Sequence, residues 1–431
     1  MSVPAIAKKP QPALTAKPAK TAAPSTTAGP KVAVKVDGYD GTTQGRHHIA
    51  PAPKAAPPPK EPLTPTTIDA HLAELSRKEK LRILVMAYGD VGVPPDTGAI
   101  IVNQTHLTKS GAPALKRAIA TSEAKSGAPV LVAADQEGGN INRLRHISAV
   151  RFPSAAAMKR MELKDIRAEG KKTGEAMAAA GVNTLLGPDL DVARDGTLMD
   201  RMQRSFGTTP EEVTTRVTAF VAGLREGNPK LVILGKHFPG YDVRGNSDIA
   251  RVSDPAPEEV VYGRAEPFFD VPGLDGVMVS SIRYTEIEDV PACFSAKIVA
   301  KAREKDKGRV VVTDDLVALS LHSSEIAAYK EYLLARTRGD TTQMEKLVAK
   351  HPGLASDTER GKLQRRADAE AVANAIAAFT AGCDILLVLD ARVAPLMVQG
   401  LDAHLAAHPE LDAQLDTSVR RVLALQARQS G

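Results

Sequence analysis

The 431-residue chain contains no tryptophan, and aromatic residues make up only 3 % of it, so a folded core has to be filled by Ala, Val, Leu and Ile. Its two cysteines, Cys293 and Cys383, cannot form a disulfide framework and show no metal-ligand spacing, which fits a reducing compartment or an indifferent one. No apolar run approaches the ~20 residues needed to cross a bilayer. The opening MSVPAIAKKPQP lacks the ~7–15-residue apolar stretch of a secretory signal, so a cytoplasmic location is expected. Hydrophobic residues (43 %) and charged residues (25 %) stand near globular averages, which excludes a wholly disordered, collagen-like or fibrous chain.

The formal charge of +5 is unevenly spread. Residues 1–65 hold nine basic and three acidic side chains and carry +6, leaving −1 on the remainder. A nearly neutral body argues against nucleic acid as a partner, because that function places positive charge on the folded surface. The first 65 residues are rich in Ala, Pro, Lys and Thr and cannot bury enough apolar surface to offset their ordering entropy. They read as a disordered tail, either a solvated linker or a weak tether to anionic material. The folded part is expected over 66–431.

From Thr67 the pattern alternates between helical and strand-like segments. The stretch from Ile68 opens as an amphipathic helix, with Ser76 and Glu79 spaced as a capping box, and an apolar strand follows. Short runs rich in Val, Ile and Leu then recur: Ile83–Val85, Ala99–Val102, Val130–Ala133, Thr184–Leu186, Leu231–Leu234, Gly276–Val279, Val310–Val312 and Ile385–Val388. Eight continuous apolar strands alternating with helices predict an α/β fold, a closed (β/α)₈ TIM barrel, with a doubly wound open sheet as the alternative. Between the last two runs a densely charged segment, about 320–368, reads as an inserted helical pair: a surface elaboration, a lid or a partner surface.

In such a barrel the chemistry sits where strands end. Four strand ends carry polar groups: Asp135 before Gln136-Glu137-Gly138-Gly139, Asp189 with Asp191, Lys236-His237 before Phe238-Pro239-Gly240, and Asp314-Asp315. Asp191 and Asp315 equally suit helix capping or internal ion pairs, and His237 alone suits a structural hydrogen bond. Lys236 is harder to explain without a carboxylate or ligand, because burying an ammonium group is costly. Carboxylates, Lys and His around glycine turns describe a site for a small, many-hydroxyl carbohydrate.

The order of the motifs adds a resemblance. Ala134-Asp-Gln-Glu-Gly-Gly139, Phe152-Pro-Ser154, Gly187-Pro-Asp-Leu-Asp-Val192, Arg204-Ser-Phe-Gly207, Gly235-Lys-His-Phe-Pro-Gly240, Val312-Thr-Asp-Asp-Leu316 and Ala381-Gly-Cys-Asp384 together resemble glycoside hydrolase family 3. The likeness is to its single-domain bacterial β-N-acetylglucosaminidases and runs from roughly residue 70 to 430. It implies a (β/α)₈ barrel, no metal and no cofactor, and a retaining glycosidase that releases N-acetylglucosamine from muropeptide or chitin-derived sugars. A retaining mechanism uses a nucleophile and an acid/base, about 5–5.5 Å apart where both are carboxylates. By resemblance Asp314 is the nucleophile, while Asp135, Arg143, Arg204, Lys236 and His237 hold the sugar. Structural pairing of Arg143 and Arg204 with Asp189, Asp191 or Asp195 is the alternative.

The sequence departs from the family after Gly240. Relatives carry Asp-Ser-His there, and the Asp/His pair is their acid/base. Here Asn246-Ser247-Asp248 falls on those places once one residue is deleted, and neither alignment keeps a histidine. Asp248 is the candidate replacement acid/base and Asp242 a second. A carboxyl in that role needs its pKa raised by burial or a neighbouring negative charge. The alternative is a catalytically impaired member that binds sugar or protein. Asn140 stands where the family usually has Arg, and Val277–Ile282 lacks a common histidine, so sugar preference is open. The sequence specifies no oligomeric state.

Overall fold

A computed structural model describes residues 63–88, 97–108, 110–145 and 151–430. Up to residue 62 the segment read as a tail lies outside the described residues, whereas Leu63, near its end, is already buried in the core.

All eight expected strands form: β1 (Val85–Tyr88), β2 (Ala99–Ile101), β3 (Leu131–Ala134), β4 (Thr184–Asp189), β5 (Val232–Phe238), β6 (Gly276–Val279), β7 (Val310–Thr313) and β8 (Leu386–Val388). They are parallel and ordered β8-β1-β2-β3-β4-β5-β6-β7. The ring closes between β7 and β8, where Val312 bridges Ile385 and the Thr313 amide donates to the Ile385 carbonyl at 2.9 Å. The Thr313 hydroxyl oxygen accepts from the Leu387 amide at 3.0 Å in the same seam. The fold is therefore an α/β barrel, not an open doubly wound sheet. Seven of the strands are buried throughout, and β1 up to its last residue, as strands covered on both faces require.

One pair of helices around the ring packs especially closely because its contact faces are small. A Cβ on Gly223 of helix Pro210–Gly227 would stand 1.9 Å from the Arg167 carbonyl oxygen of helix Leu163–Ala179; one on Gly170 would stand 2.2 Å from the Phe220 carbonyl oxygen. These two helices touch backbone to backbone. Before β1, the expected single helix is two, Ile68–Glu74 and Arg77–Ile83, the second capped by the anticipated Ser76–Glu79 box. Between β7 and β8 lie three helices, not a pair: Ser324–Arg338, Thr341–Lys350 and Asp357–Thr380. Ile326, Tyr329, Tyr332, Leu347, Leu354 and Leu363 give them an apolar cluster of their own. No helix among the described residues is long and apolar enough to cross a membrane.

A charged knot locks the strand starts, opposite the candidate site. Asp384, fully buried before β8, accepts from the Val311 amide (2.9 Å), the Ser418 hydroxyl (2.8 Å) and Arg421 (3.0 Å), and pairs with Arg303. Removing one partner of a buried pair strands the other charge, so Asp384→Ala is expected to cost about 3–5 kcal/mol, read from urea unfolding midpoints. A loss below about 1 kcal/mol would show that the knot does not hold this end of the barrel.

Candidate functional site

The site grows from two strands that run further than their apolar cores. β4 continues through Gly187-Pro188 to Asp189, and β5 through Gly235-Lys236-His237 to Phe238. Register shifts at Leu186/Gly187 and Lys236/Phe238 accommodate the extra residues. Lys236 and His237 thus lie on a strand and are buried.

Their cost is met by carboxylates. Lys236 Nζ donates to Asp135 Oδ1 at 2.7 Å and lies 2.6 Å from Glu137 Oε1. Burial alone would lower the Lys236 pKa, but the charges of Asp135 and Glu137 override it and hold the ammonium protonated. Arg204 donates from Nε and Nη2 to Glu137 at 2.8 and 3.0 Å, and its Nε lies 2.9 Å from Asp189 Oδ2. Burial would raise the Glu137 carboxyl, yet Arg204 and Lys236 outweigh it and hold it well below the usual carboxylate range. Asp189, in contrast, is raised, because burial outweighs Arg204 there. Arg143 is half-exposed, 3.7 Å from Asp135 Oδ2.

His237 is fixed from behind. Its Nδ1 lies 2.7 Å from Asp191 Oδ2, while its own amide and that of Tyr241 donate to Asp191 Oδ1 at 3.1 and 2.7 Å. Burial alone would lower the imidazole pKa, but Asp191 raises it above its ordinary value. Asp189, Asp191 and His237 could offer a metal three ligand atoms within 4.8 Å of one another, the one such group among the described residues. Arg204 already neutralises Asp189 there, and Asp191 is spent on His237 and Tyr241.

Glycine shapes the loop beside this network. Gly138 has φ +83°, and a Cβ on it would stand 2.1 Å from the Pro153 carbonyl oxygen, so the turn carrying Glu137 admits no side chain there.

At the end of β7 the Asp314 amide donates to the Val279 carbonyl at 3.0 Å. Asp315 points elsewhere: its Oδ1 accepts from the Val317 and Leu389 amides at 3.2 and 3.0 Å, tying the ends of β7 and β8, and burial pushes its carboxyl up to about 7. Asp248 stands on the loop after β5, with its carbonyl accepting from the Leu319 amide at 2.9 Å. The residue is exposed, yet protein atoms crowd its carboxyl. That crowding, then the charge of Asp314, raises it above its ordinary value, while His237, Arg204 and Lys236 pull the other way. Asp242 is buried and held in ion pairs with Arg264 and with Arg194 Nε at 2.6 Å, so this second candidate serves the loop's framework.

With this geometry in place, residues 93–334 match the glycosyl hydrolase family 3 N terminal domain. The chain belongs to glycosyl hydrolase family 3. Among its family 3 relatives, the β-hexosaminidase of Idiomarina loihiensis is 28 % identical over 312 residues, 70 % of this chain and 78 % of that one. That of Methylococcus capsulatus is 34 % identical over 183 residues, 40 % and 54 %. The solved β-N-acetylhexosaminidase of Beutenbergia cavernae is 27 % identical with a TM-score of 0.62, covering 82 % of this chain and 99 % of that one. LpqI of M. tuberculosis, 23 % identical with a TM-score of 0.64 over 86 % and 98 %, shares the fold. The chain is thus a β-hexosaminidase-like family 3 glycoside hydrolase.

The resemblance had named Asp135, Arg143, Arg204, Lys236 and His237 as sugar contacts; in this family 3 chain Asp135, Lys236, Glu137, Arg204 and His237 form one linked network, with Arg143 at its edge. Sequence reasoning missed three participants. Glu137 was hidden inside a glycine-rich loop motif, although a lysine needing carboxylates pointed to it. Asp191 reads from the sequence as a strand-end carboxylate that equally suits a cap or bridge, and nothing in the sequence singles out Tyr241.

Proposed function

We propose that this family 3 hydrolase is a retaining β-N-acetylhexosaminidase that releases N-acetylglucosamine from muropeptide or chitin-derived sugars through a covalent glycosyl-enzyme on Asp314. Asp135, Arg143, Arg204, Lys236 and His237 hold the terminal sugar, carboxylates accepting from hydroxyls and cations donating charge-assisted hydrogen bonds. Asp314 attacks the anomeric carbon while protonated Asp248 gives its proton to the departing oxygen. Asp248, now ionised, then takes a proton from water as that water opens the glycosyl ester, restoring both carboxyls. The observation that carries this reading is the placement of Asp248 on the loop after β5, bound through its carbonyl to the Leu319 amide of the segment that follows Asp314, with a carboxyl whose pKa burial and the charge of Asp314 raise. The names of the relatives support the N-acetylhexosaminyl substrate.

The deciding experiment follows a β-N-acetylglucosaminide by proton NMR during hydrolysis. The β anomer of N-acetylglucosamine is expected first, with the α anomer growing in by mutarotation. The α anomer appearing first would overturn the retaining mechanism. Sugar binding without turnover would favour the impaired binder, for which the absent loop histidine argues. A cytoplasmic setting belongs to the same proposal, supported by the free, buried thiols of Cys293 and Cys383.

A further inference from the structure

We propose that Tyr241 is the positioning residue for Asp248, its phenol closing the loop after β5 into a clasp that joins the sugar subsite to the acid. The residue follows Gly240, and its ring is buried, meeting that of His237 edge to face at 5.6 Å between centroids. Its amide is fixed on Asp191, the carboxylate that also fixes His237. At the other end, the phenol donates to the Gly245 carbonyl at 2.9 Å and accepts from the Ser247 amide at 2.7 Å. One side chain therefore spans the loop from the strand end to the residue before Asp248. The Asn246 Oδ1 accepts from the Asp248 amide at 2.9 Å, and the Leu319 amide holds the Asp248 carbonyl.

The backbone of Asp248 is thus anchored by Asn246 and by the loop that follows Asp314, while the Tyr241 clasp fixes the residue just before it. A carboxyl replacing an imidazole gains from this, because proton transfer requires hydrogen-bond reach of the departing oxygen and a loop that wanders spends little time there. Burial pushes the phenol up to about 12, so it stays a neutral donor throughout the working range. Ser247 is itself fully buried, so deleting the phenol oxygen leaves its amide without a partner and loosens the turn at that point.

The inference rests on Asp248 being the acid, and the test separates the two. Tyr241→Phe keeps the ring and removes only the oxygen. Hydrolysis of dinitrophenyl and plain phenyl β-N-acetylglucosaminides is compared for the intact protein, Tyr241→Phe, Asp248→Asn and the double variant. Tyr241→Phe is expected to lower kcat/KM on the phenyl substrate roughly five- to tenfold more than on the dinitrophenyl one, the worth of one hydrogen bond. In the Asp248→Asn background that selective loss is expected to vanish, because there is no acid left to position. A purely structural role would lower both substrates alike, or keep its full effect without Asp248, and either result overturns the proposal. Absence of leaving-group dependence in Asp248→Asn alone would overturn the assignment of the acid, and Tyr241 with it.

Discussion

Asp314→Asn is expected to lower hydrolysis of an activated aryl β-N-acetylglucosaminide by roughly 10⁴–10⁶-fold, the scale seen when a covalent nucleophile is deleted. The amide keeps the size of the carboxylate and its acceptor oxygen, so the bond from the Asp315 amide to Asp314 Oδ1 (2.8 Å) survives. Only the negative charge that attacks the anomeric carbon is lost. An activated leaving group departs with little protonation, so the measurement isolates this role from that of the acid. Unfolding by urea should be nearly unchanged, because Asp315, not Asp314, ties β7 to β8. Activity within tenfold of the intact protein would remove Asp314 from the nucleophile's place.

Asp248→Asn is the second large effect. It is expected to cost roughly 10²–10⁴-fold on substrates with poor leaving groups and far less on activated ones. A general acid works only while protonated, so its activity falls as pH rises through its pKa. Crowding and Asp314 raise that pKa, which moves the alkaline limb of kcat/KM to higher pH than an unperturbed aspartic acid would give. In the variant this limb should vanish, leaving a uniformly low rate over the same pH span. A limb that survives unchanged would assign the proton to another group.

The barrel was readable because each of its strands is a short apolar run, and β/α alternation leaves few topologies. The far ends of β4 and β5 were not: Gly187-Pro188-Asp189 and Gly235-Lys236-His237 look like loop sequence, and only pairing with neighbouring strands makes them extended. The choice between Asp242 and Asp248 was equally hidden. Both are acidic residues of one loop, and what separates them is Arg264 and Arg194, brought to Asp242 by folding. Glu137 required knowing that Lys236 and Arg204 converge on one carboxylate from different strand ends. The insertion's charge was plain, but its third helix was not, because Asp357–Thr380 runs without a break into the helix that packs before β8.

The seam at Gly170 and Gly223 divides the molecule into a side that can change and a side that cannot. Where two backbones already touch, even one added methyl meets a carbonyl oxygen, so heredity has almost no room to explore between β3 and β5. The β7–β8 connection, with a small core of its own, can be lengthened or exchanged without disturbing that seam. Divergence toward new substrates would then be written at the Asp314 side of the mouth, and a combinatorial library aimed there should yield many more folded clones than one spread evenly around the ring.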